Sequence, residues 1–156
     1  MDCKAKLEKY FRDNGVEFQT MTHRTAYTAQ EVAAAQGIKG RELAKVAMVN
    51  ADAKIVMLVM PANYRIDFAK LKGVLDAKEA RLAKEEEFSA LFPDCDTGAM
   101  PPFGNLYDVP VYVDRSLTED SEIVFQAGSH RDTMKIAYRD YARLTRPIVV
   151  DFAVHL

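Results

Sequence analysis

Two runs of β-branched and long apolar residues, 43–49 and 54–60, flank the polar tetrad Asn50-Ala51-Asp52-Ala53, and they constrain the fold more firmly than anything else in the chain. Runs this continuous read as strands buried on both faces, with the tetrad as the turn of a hairpin. A sheet core is therefore expected there. The apolar stretch 55–60 stops at Pro61, far short of the roughly 20 residues of a membrane-spanning helix. No membrane association is expected.

The flanking segments mix helical and extended signals. Leu7, Tyr10 and Phe11 recur at helical spacing within residues 4–13, with Gly15 placed to end a helix. An extended piece is expected around residues 17–22. Thr28-Ala29-Gln30-Glu31 has capping-box spacing and opens an alanine-rich run that closes at Gly37, which predicts a second helix. Asp67 is placed to cap a short helix reaching Gly73, residues 80–83 read as a short strand, and residues 85–91 read as another helix stopped before Pro93. Residues 97–102 concentrate glycine and proline as an ordered loop, and residues 109–113 read as a strand. Met134, Ile136 and Tyr138 alternate with polar or small neighbours, so 122–126 and 133–138 are expected to be strands around a turn at Gly128. As a helix the latter stretch would carry a basic stripe of Arg131, Lys135, Arg139 and Arg143; as a strand it would not. Asp140 is expected to start a final helix ending before Pro147.

Nearly half of the 156 residues are apolar, and no repeat, low-complexity tract or linker divides them, so residues 1–156 are read as one α/β domain with a mixed sheet. The first residues, Met1-Asp2-Cys3-Lys4, lead into no apolar signal core, which makes the cytoplasm the expected compartment. A reducing compartment would keep Cys3 and Cys95 as thiols. With 21 basic against 23 acidic residues, the chain lacks the basic excess of a protein that coats nucleic acid, so no DNA binding is expected and any RNA contact must be local.

Three features carry candidate chemistry. In an extended 43–49 segment Lys45 shares a face with Leu43, Ala47 and Val49. It is either a strand lysine that snorkels to water or an ammonium at the floor of a pocket, holding a phosphate or carboxylate as a point charge. Gly98-Ala99-Met100-Pro101-Pro102-Phe103-Gly104 is either an ordinary turn or a stiffened loop aiming amide groups at a developing oxyanion. His130, in Gly128-Ser129-His130, is either an exposed turn residue or a hydrogen-bonding and proton-transfer group. There is no GxxxxGK[ST], GxGxxG or GxSxG, which removes phosphate-loop, dinucleotide and serine-hydrolase readings. His23, His130 and His155 lack metal-ligand spacing with the cysteines, so no metal and no cofactor is expected.

Taken in order, His23 and the 28–36 helix, Lys45 within Leu43-Ala44-Lys45-Val46-Ala47-Met48-Val49, the Gly98-xxx-Pro102 loop with Phe103-Gly104, and the Gly128-Ser129-His130 turn resemble the YbaK and prolyl-tRNA-synthetase-associated editing domain family. The resemblance runs from about residue 7 to the C terminus. It implies a curved, barrel-like mixed sheet surrounded by helices, and a free-standing hydrolase that deacylates mischarged tRNA at its acceptor end, with a synthetase as a further partner. It also implies that the tRNA terminal ribose hydroxyl helps activate water, so that no metal is needed. By the same resemblance Lys45, Gly98 and His130 are catalytic, while His23, Tyr27, Ala99, Met100, Pro101, Pro102, Phe103, Gly128 and Ser129 bind substrate. Met100 and Phe103 would narrow the pocket toward Ala, Ser or Cys. Several family members carry threonine or asparagine where this chain has Val46, which leaves the accepted amino acid open. A non-catalytic module binding a tRNA end, a synthetase or an amino-acid-like ligand is the alternative.

Overall fold

In a computed structural model that describes residues 2–156, the expected hairpin is the centre of the molecule. Strands Ala44–Ala51 and Lys54–Pro61, here β2 and β3 after the first strand Gln19–Thr22 (β1), pair antiparallel from Ala44↔Pro61 to Ala51↔Lys54. The turn is shorter than the polar tetrad suggests. Only Asp52 and Ala53 form it, both at positive φ (49° and 69°), as a two-residue turn matched to strand twist requires. The Ala53 N–H donates to Asn50 Oδ1 (2.9 Å), and the Asp52 carboxylate accepts from the Lys78 and Glu79 amides.

β3 alternates its side chains between two apolar clusters: Met57 and Val59 enter one, Val56, Leu58 and Met60 the other. That double burial is why the strand reads as an unbroken apolar run. Around it Ala80–Leu82 (β5), Val111–Asp114 (β6) and Ile148–Val150 (β9) complete a mixed sheet in the order β5-β2-β3-β6-β9, with β3, β6 and β9 parallel. β1, Glu122–Gln126 (β7) and Asp132–Ala137 (β8) form an antiparallel sheet, and Tyr64–Ile66 (β4) pairs with Ala153–His155 (β10). The barrel-like sheet implied by the family resemblance is not closed. β7 meets β2 at one bridge, Leu43↔Val124, after which β7 pairs with β8 and β2 with β3, so the two sheets part.

Helices Cys3–Asp13 (α1), Ala29–Gln36 (α2), Phe68–Leu75 (α3), Glu85–Phe88 (α4) and Tyr138–Thr145 (α5) lie around the sheets. The α1 stripe Cys3, Leu7 and Phe11 is buried, and Asp2 caps it by accepting from the Ala5 amide. Thr28 caps α2 through the Glu31 amide, and Gly37 ends it at φ 75°. Asp67 caps α3, which runs past Gly73 to Leu75. The 85–91 segment is one α turn followed by a 3₁₀ turn. α5 starts two residues before Asp140, so Arg139 and Arg143 are helical while Arg131 and Lys135 belong to the hairpin, and no continuous basic stripe forms. None of the described helices is long and apolar enough to cross a membrane.

The thiol expectation for the two cysteines is corrected: Cys3 and Cys95 are joined as a disulfide, their Cα atoms 5.1 Å apart across 92 residues of sequence. Sequence distance concealed this, because α1 crosses the chain just before the glycine-proline loop; the Cys3 amide donates to Asp94 O (3.0 Å). Cross-linking so long a loop restricts the unfolded chain, an effect typically worth about 3 kcal/mol. The doubly substituted Cys3→Ser, Cys95→Ser protein is therefore expected to melt roughly 6–12 °C lower than the oxidised protein in a calorimetric scan. Equal melting temperatures would show that the link carries no stability.

Candidate functional site

Where β2 and β7 separate, a cavity of about 370 Å³ opens, lined by Tyr27, Thr28, Ala29, Gln30, Lys45, Val46, Ala62, Gly98 and Gln126. Its position follows from the strand geometry. Leu43, just before β2, and Val124 of β7 form an isolated parallel bridge, and two residues further along the chain from each stand Lys45 and Gln126. Lys45 and Gly98, 53 positions apart in sequence, share this hollow.

Lys45 donates to the backbone carbonyls of Tyr64 and, at 3.4 Å, Ala62. An ammonium has three protons, so one donor remains for the cavity. Among the described residues no carboxylate comes within ion-pair distance of it. Desolvation lowers its pKa below the ordinary 10.5. This is a positive charge with no internal counter-charge.

The α2 N-terminus adds to the same field. Thr28 Oγ1 takes the Glu31 amide and Thr28 O takes that of Val32, while Ala29 and Gln30, the first two helical positions, line the cavity. The first amides of a helix have no acceptor within it and carry its positive dipole end. Together with Lys45 they favour an anionic or strongly dipolar occupant.

The glycine-proline loop enters only through its first residue. Gly98, at φ 89°, donates its N–H to the thioether of Met100 (3.2 Å), a weak acceptor that a carbonyl oxygen can displace. A methyl group built on Gly98 would lie 3.6 Å from His130 Cε1, and the His130 ring stacks at 4.7 Å, tilted, on the exposed Tyr27. His130 Nδ1 is buried without a hydrogen-bond partner. Tyr27, Lys45 and Gly98 thus line the cavity, and His130 adjoins it through Tyr27 and Gly98 without lining it.

The remaining expected site residues are not at the cavity. Ala99, Met100, Pro101, Pro102 and Phe103 are buried behind it. Phe103 packs edge-on against Phe11, Phe125 and Tyr141, at 5.3–5.5 Å, so it cannot narrow the pocket; the apolar core takes its ring. Phe103→Leu is accordingly expected to cost about 1 kcal/mol of stability and leave any preference among aminoacyl groups unchanged, as measured by melting and by competing esters. The Ser129 hydroxyl is consumed in its own turn, donating to Asp132 Oδ2 (2.6 Å) and accepting from the Arg131 and Asp132 amides. Gly128 is a brace: its N–H donates to Ala99 O and its carbonyl accepts from Asp96 N–H, which ties the loop to the β7–β8 hairpin. His23 is buried with Nδ1 against Arg24 O (2.6 Å) and lies off the cavity wall.

Thr28, Ala29, Gln30, Ala62 and Gln126 escaped the sequence reading as lining residues, whereas Val46 was singled out there as bearing on the accepted amino acid. The capping box was the only signal pointing at the first three. Larger hollows of about 670 and 420 Å³ lie along β8, and both carry mixed charges. The smaller of these contains Asp120, whose carboxyl burial raises to about 6. Neither contains Lys45 or any residue of the glycine-proline loop.

Fold and cavity define a class: a mixed α/β domain with an uncompensated lysine, a helix N-terminus and a glycine-loop amide converging on one open hollow. The family follows from sequence comparison. Residues 23–144 match the model of the aminoacyl-tRNA editing domain, and the chain belongs to that family. It is 27% identical over 152 residues to the Multifunctional Ser/Thr-tRNA deacylase ProXp-y of Escherichia coli K12, covering 94% of this chain and 90% of that protein. It is 30% identical over 125 residues to the proline–tRNA ligase of Shouchella clausii KSM-K16, covering 74% of this chain but only 22% of the ligase. A crystal structure described as a candidate trans-editing enzyme for prolyl tRNA synthetase superposes with a TM-score of 0.82 at 20% identity, over 99% of this chain and 98% of the other. That likeness establishes the shared fold.

Proposed function

We propose that this protein is a trans-acting aminoacyl-tRNA deacylase that hydrolyses the ester of a tRNA mischarged with a small amino acid, without a metal. The observation that carries the reading is that Lys45 and Gly98 line one cavity. In it the Lys45 ammonium and the α2 N-terminus hold the acceptor end through a phosphate, and the Gly98 N–H exchanges its thioether contact for the ester carbonyl oxygen. The terminal ribose hydroxyl orients a water whose oxygen attacks the carbonyl carbon. The ester C–O bond then breaks, and the departing ribose oxygen takes a proton, releasing amino acid and tRNA. A preorganised donor at such an oxyanion is typically worth about 3–4 kcal/mol of barrier. His130, stacked under Tyr27 and beside Gly98, positions the ring and loop between which the ester lies.

The relatives support the same reading: a protein named as a Ser/Thr-tRNA deacylase covers nearly the whole chain, and a segment of a proline–tRNA ligase also matches. The tRNA acceptor end is then the partner, with prolyl-tRNA synthetase a natural neighbour and the cytoplasm the place of action, where a reducing milieu would open the Cys3–Cys95 link to two thiols. Purified protein incubated with tRNA charged with Ala, Ser, Thr, Cys and Pro is expected to release at least one small amino acid well above the uncatalysed rate. If every ester survives while a charged tRNA still binds, the protein is a binding module instead.

A further inference from the structure

Four lining residues, Tyr27, Thr28, Gln30 and Gln126, have neutral side chains that can both donate and accept a hydrogen bond; the first three are exposed at the rim, and Gln126 alone of the four is partly buried. It stands at the end of β7, two positions beyond the bridge to β2, opposite Lys45 across the parting of the sheets. Its terminal nitrogen is sealed from solvent and has no partner, and among the described residues the amide oxygen has none either. The neighbouring strand shows the contrast: Thr133 of β8, in register with Gln126, donates to Gln36 Oε1 at the end of α2 at 2.8 Å.

An amide nitrogen left unpaired in a closed position is costly, and native proteins rarely tolerate it unless something else supplies the partner. Among the described residues no hydrogen bond fixes which way this amide faces. The torsion that carries it is broad and two-fold, so a half-turn presents the NH₂ group to the cavity and puts the oxygen in the sealed place. Under-paired carbonyl oxygens are better tolerated than orphaned N–H groups. The cavity-facing end can therefore offer a donor or an acceptor, as the occupant demands.

The remaining lining narrows the choice of occupant. Lys45, the α2 N-terminus and Gly98 already supply charge and donors for a phosphate and an ester carbonyl. Val46 and Ala62 supply apolar wall. What is left for a neutral amide is a neutral group that itself donates and accepts, and an aliphatic hydroxyl is such a group. We infer that Gln126 reads the side-chain hydroxyl of the esterified amino acid, which makes serine and threonine the preferred class over alanine; this rests on the deacylase reading above.

The test compares wild type with Gln126→Leu and Gln126→Glu on Ser-, Thr- and Ala-charged tRNA, together with calorimetric binding of non-hydrolysable 3′-seryl-amido and 3′-alanyl-amido adenosine. Gln126→Leu removes an unpaired buried amide, so its melting temperature is expected to equal or exceed that of wild type, and folding is checked by the same scan. The expected result is a loss of roughly tenfold or more in kcat/KM on the hydroxyl-bearing esters, with Ala-tRNA changed by less than about threefold. The seryl analogue should lose its binding advantage over the alanyl one in parallel. Equal losses on all three esters, or a wild type without preference for the hydroxyl, overturn the inference while leaving a deacylase. A Gln126-dependent preference for the seryl analogue in a protein that hydrolyses no ester upholds the inference and overturns the deacylase reading. Absence of both binding and hydrolysis overturns the two together.

Discussion

Lys45→Ala is expected to lower kcat/KM for the mischarged tRNA by roughly ten- to a hundredfold, the scale of losing one charge-assisted contact to a phosphate. No other lysine or arginine lines the cavity, so nothing replaces the charge. Stability should respond differently. The variant loses two bonds to the carbonyls of Ala62 and Tyr64, but it also removes a half-buried ammonium that has no counter-ion. Those contributions oppose each other, and a melting shift of only a few degrees is expected. The pH dependence has a definite sign. Desolvation puts the folded-state pKa of Lys45 below the 10.5 of a free lysine, so the unfolded chain binds the proton more tightly between those two values. Stability conferred at this site therefore rises as pH climbs through that window, and activity that needs the ammonium falls across it. Lys45→Ala should abolish both trends, which melting and rate profiles of the two proteins would reveal. A variant that hydrolyses every ester at the wild-type rate would place the chemistry elsewhere.

The hairpin, the capped helices α2 and α3, and the β7–β8 turn were legible in sequence because each is fixed by local chemistry: apolar continuity, a capping side chain, a glycine at positive φ. Strands β4, β9 and β10 were not: three residues carry no period, and β5, equally short, was legible only from its place between two expected helices. Their register comes from distant partners, such as the buried Asp114, whose Oδ1 accepts from the Phe152 and Ala153 amides and pins the C-terminal segment. The site divides along the same line. Lys45 stands out because an ammonium interrupts an apolar strand, and Gly98 because glycine and proline cluster after it. Gln126 does not stand out, since a polar residue ending a strand is ordinary; only the parting of the sheets gives it meaning. Phe103 shows the opposite failure, a residue five positions after Gly98 in the same glycine-proline loop whose ring is claimed by the aromatic core.

Gly128→Ala is expected to be the most destabilising single methyl addition in the site region, costing about 4 kcal/mol and lowering the melting temperature by roughly 8–16 °C. Two effects combine. At φ 94° an L side chain is strained, and the added Cβ would lie 2.5 Å from Cys3 Cβ and 2.6 Å from Cys3 Sγ. Cys3 cannot retreat easily, because the disulfide to Cys95 and the α1 stripe hold it. The strain passes to the loop, since Gly128 bonds both Ala99 and Asp96 and so fixes where Gly98 stands. Gly98→Ala separates the two consequences. Its φ of 89° is equally unfavourable, but the nearest atom, His130 Cε1, is at an ordinary 3.6 Å, so only the conformational cost of about 1–3 kcal/mol applies. Its methyl, however, enters the space between the loop and His130. Gly128→Ala should therefore lead in lost stability and Gly98→Ala in lost turnover per folded molecule, as melting curves and rates normalised to folded protein would show. If the order is reversed, with the methyl at 128 tolerated and that at 98 unfolding the chain, then Gly128 is not the brace that aligns the two loops.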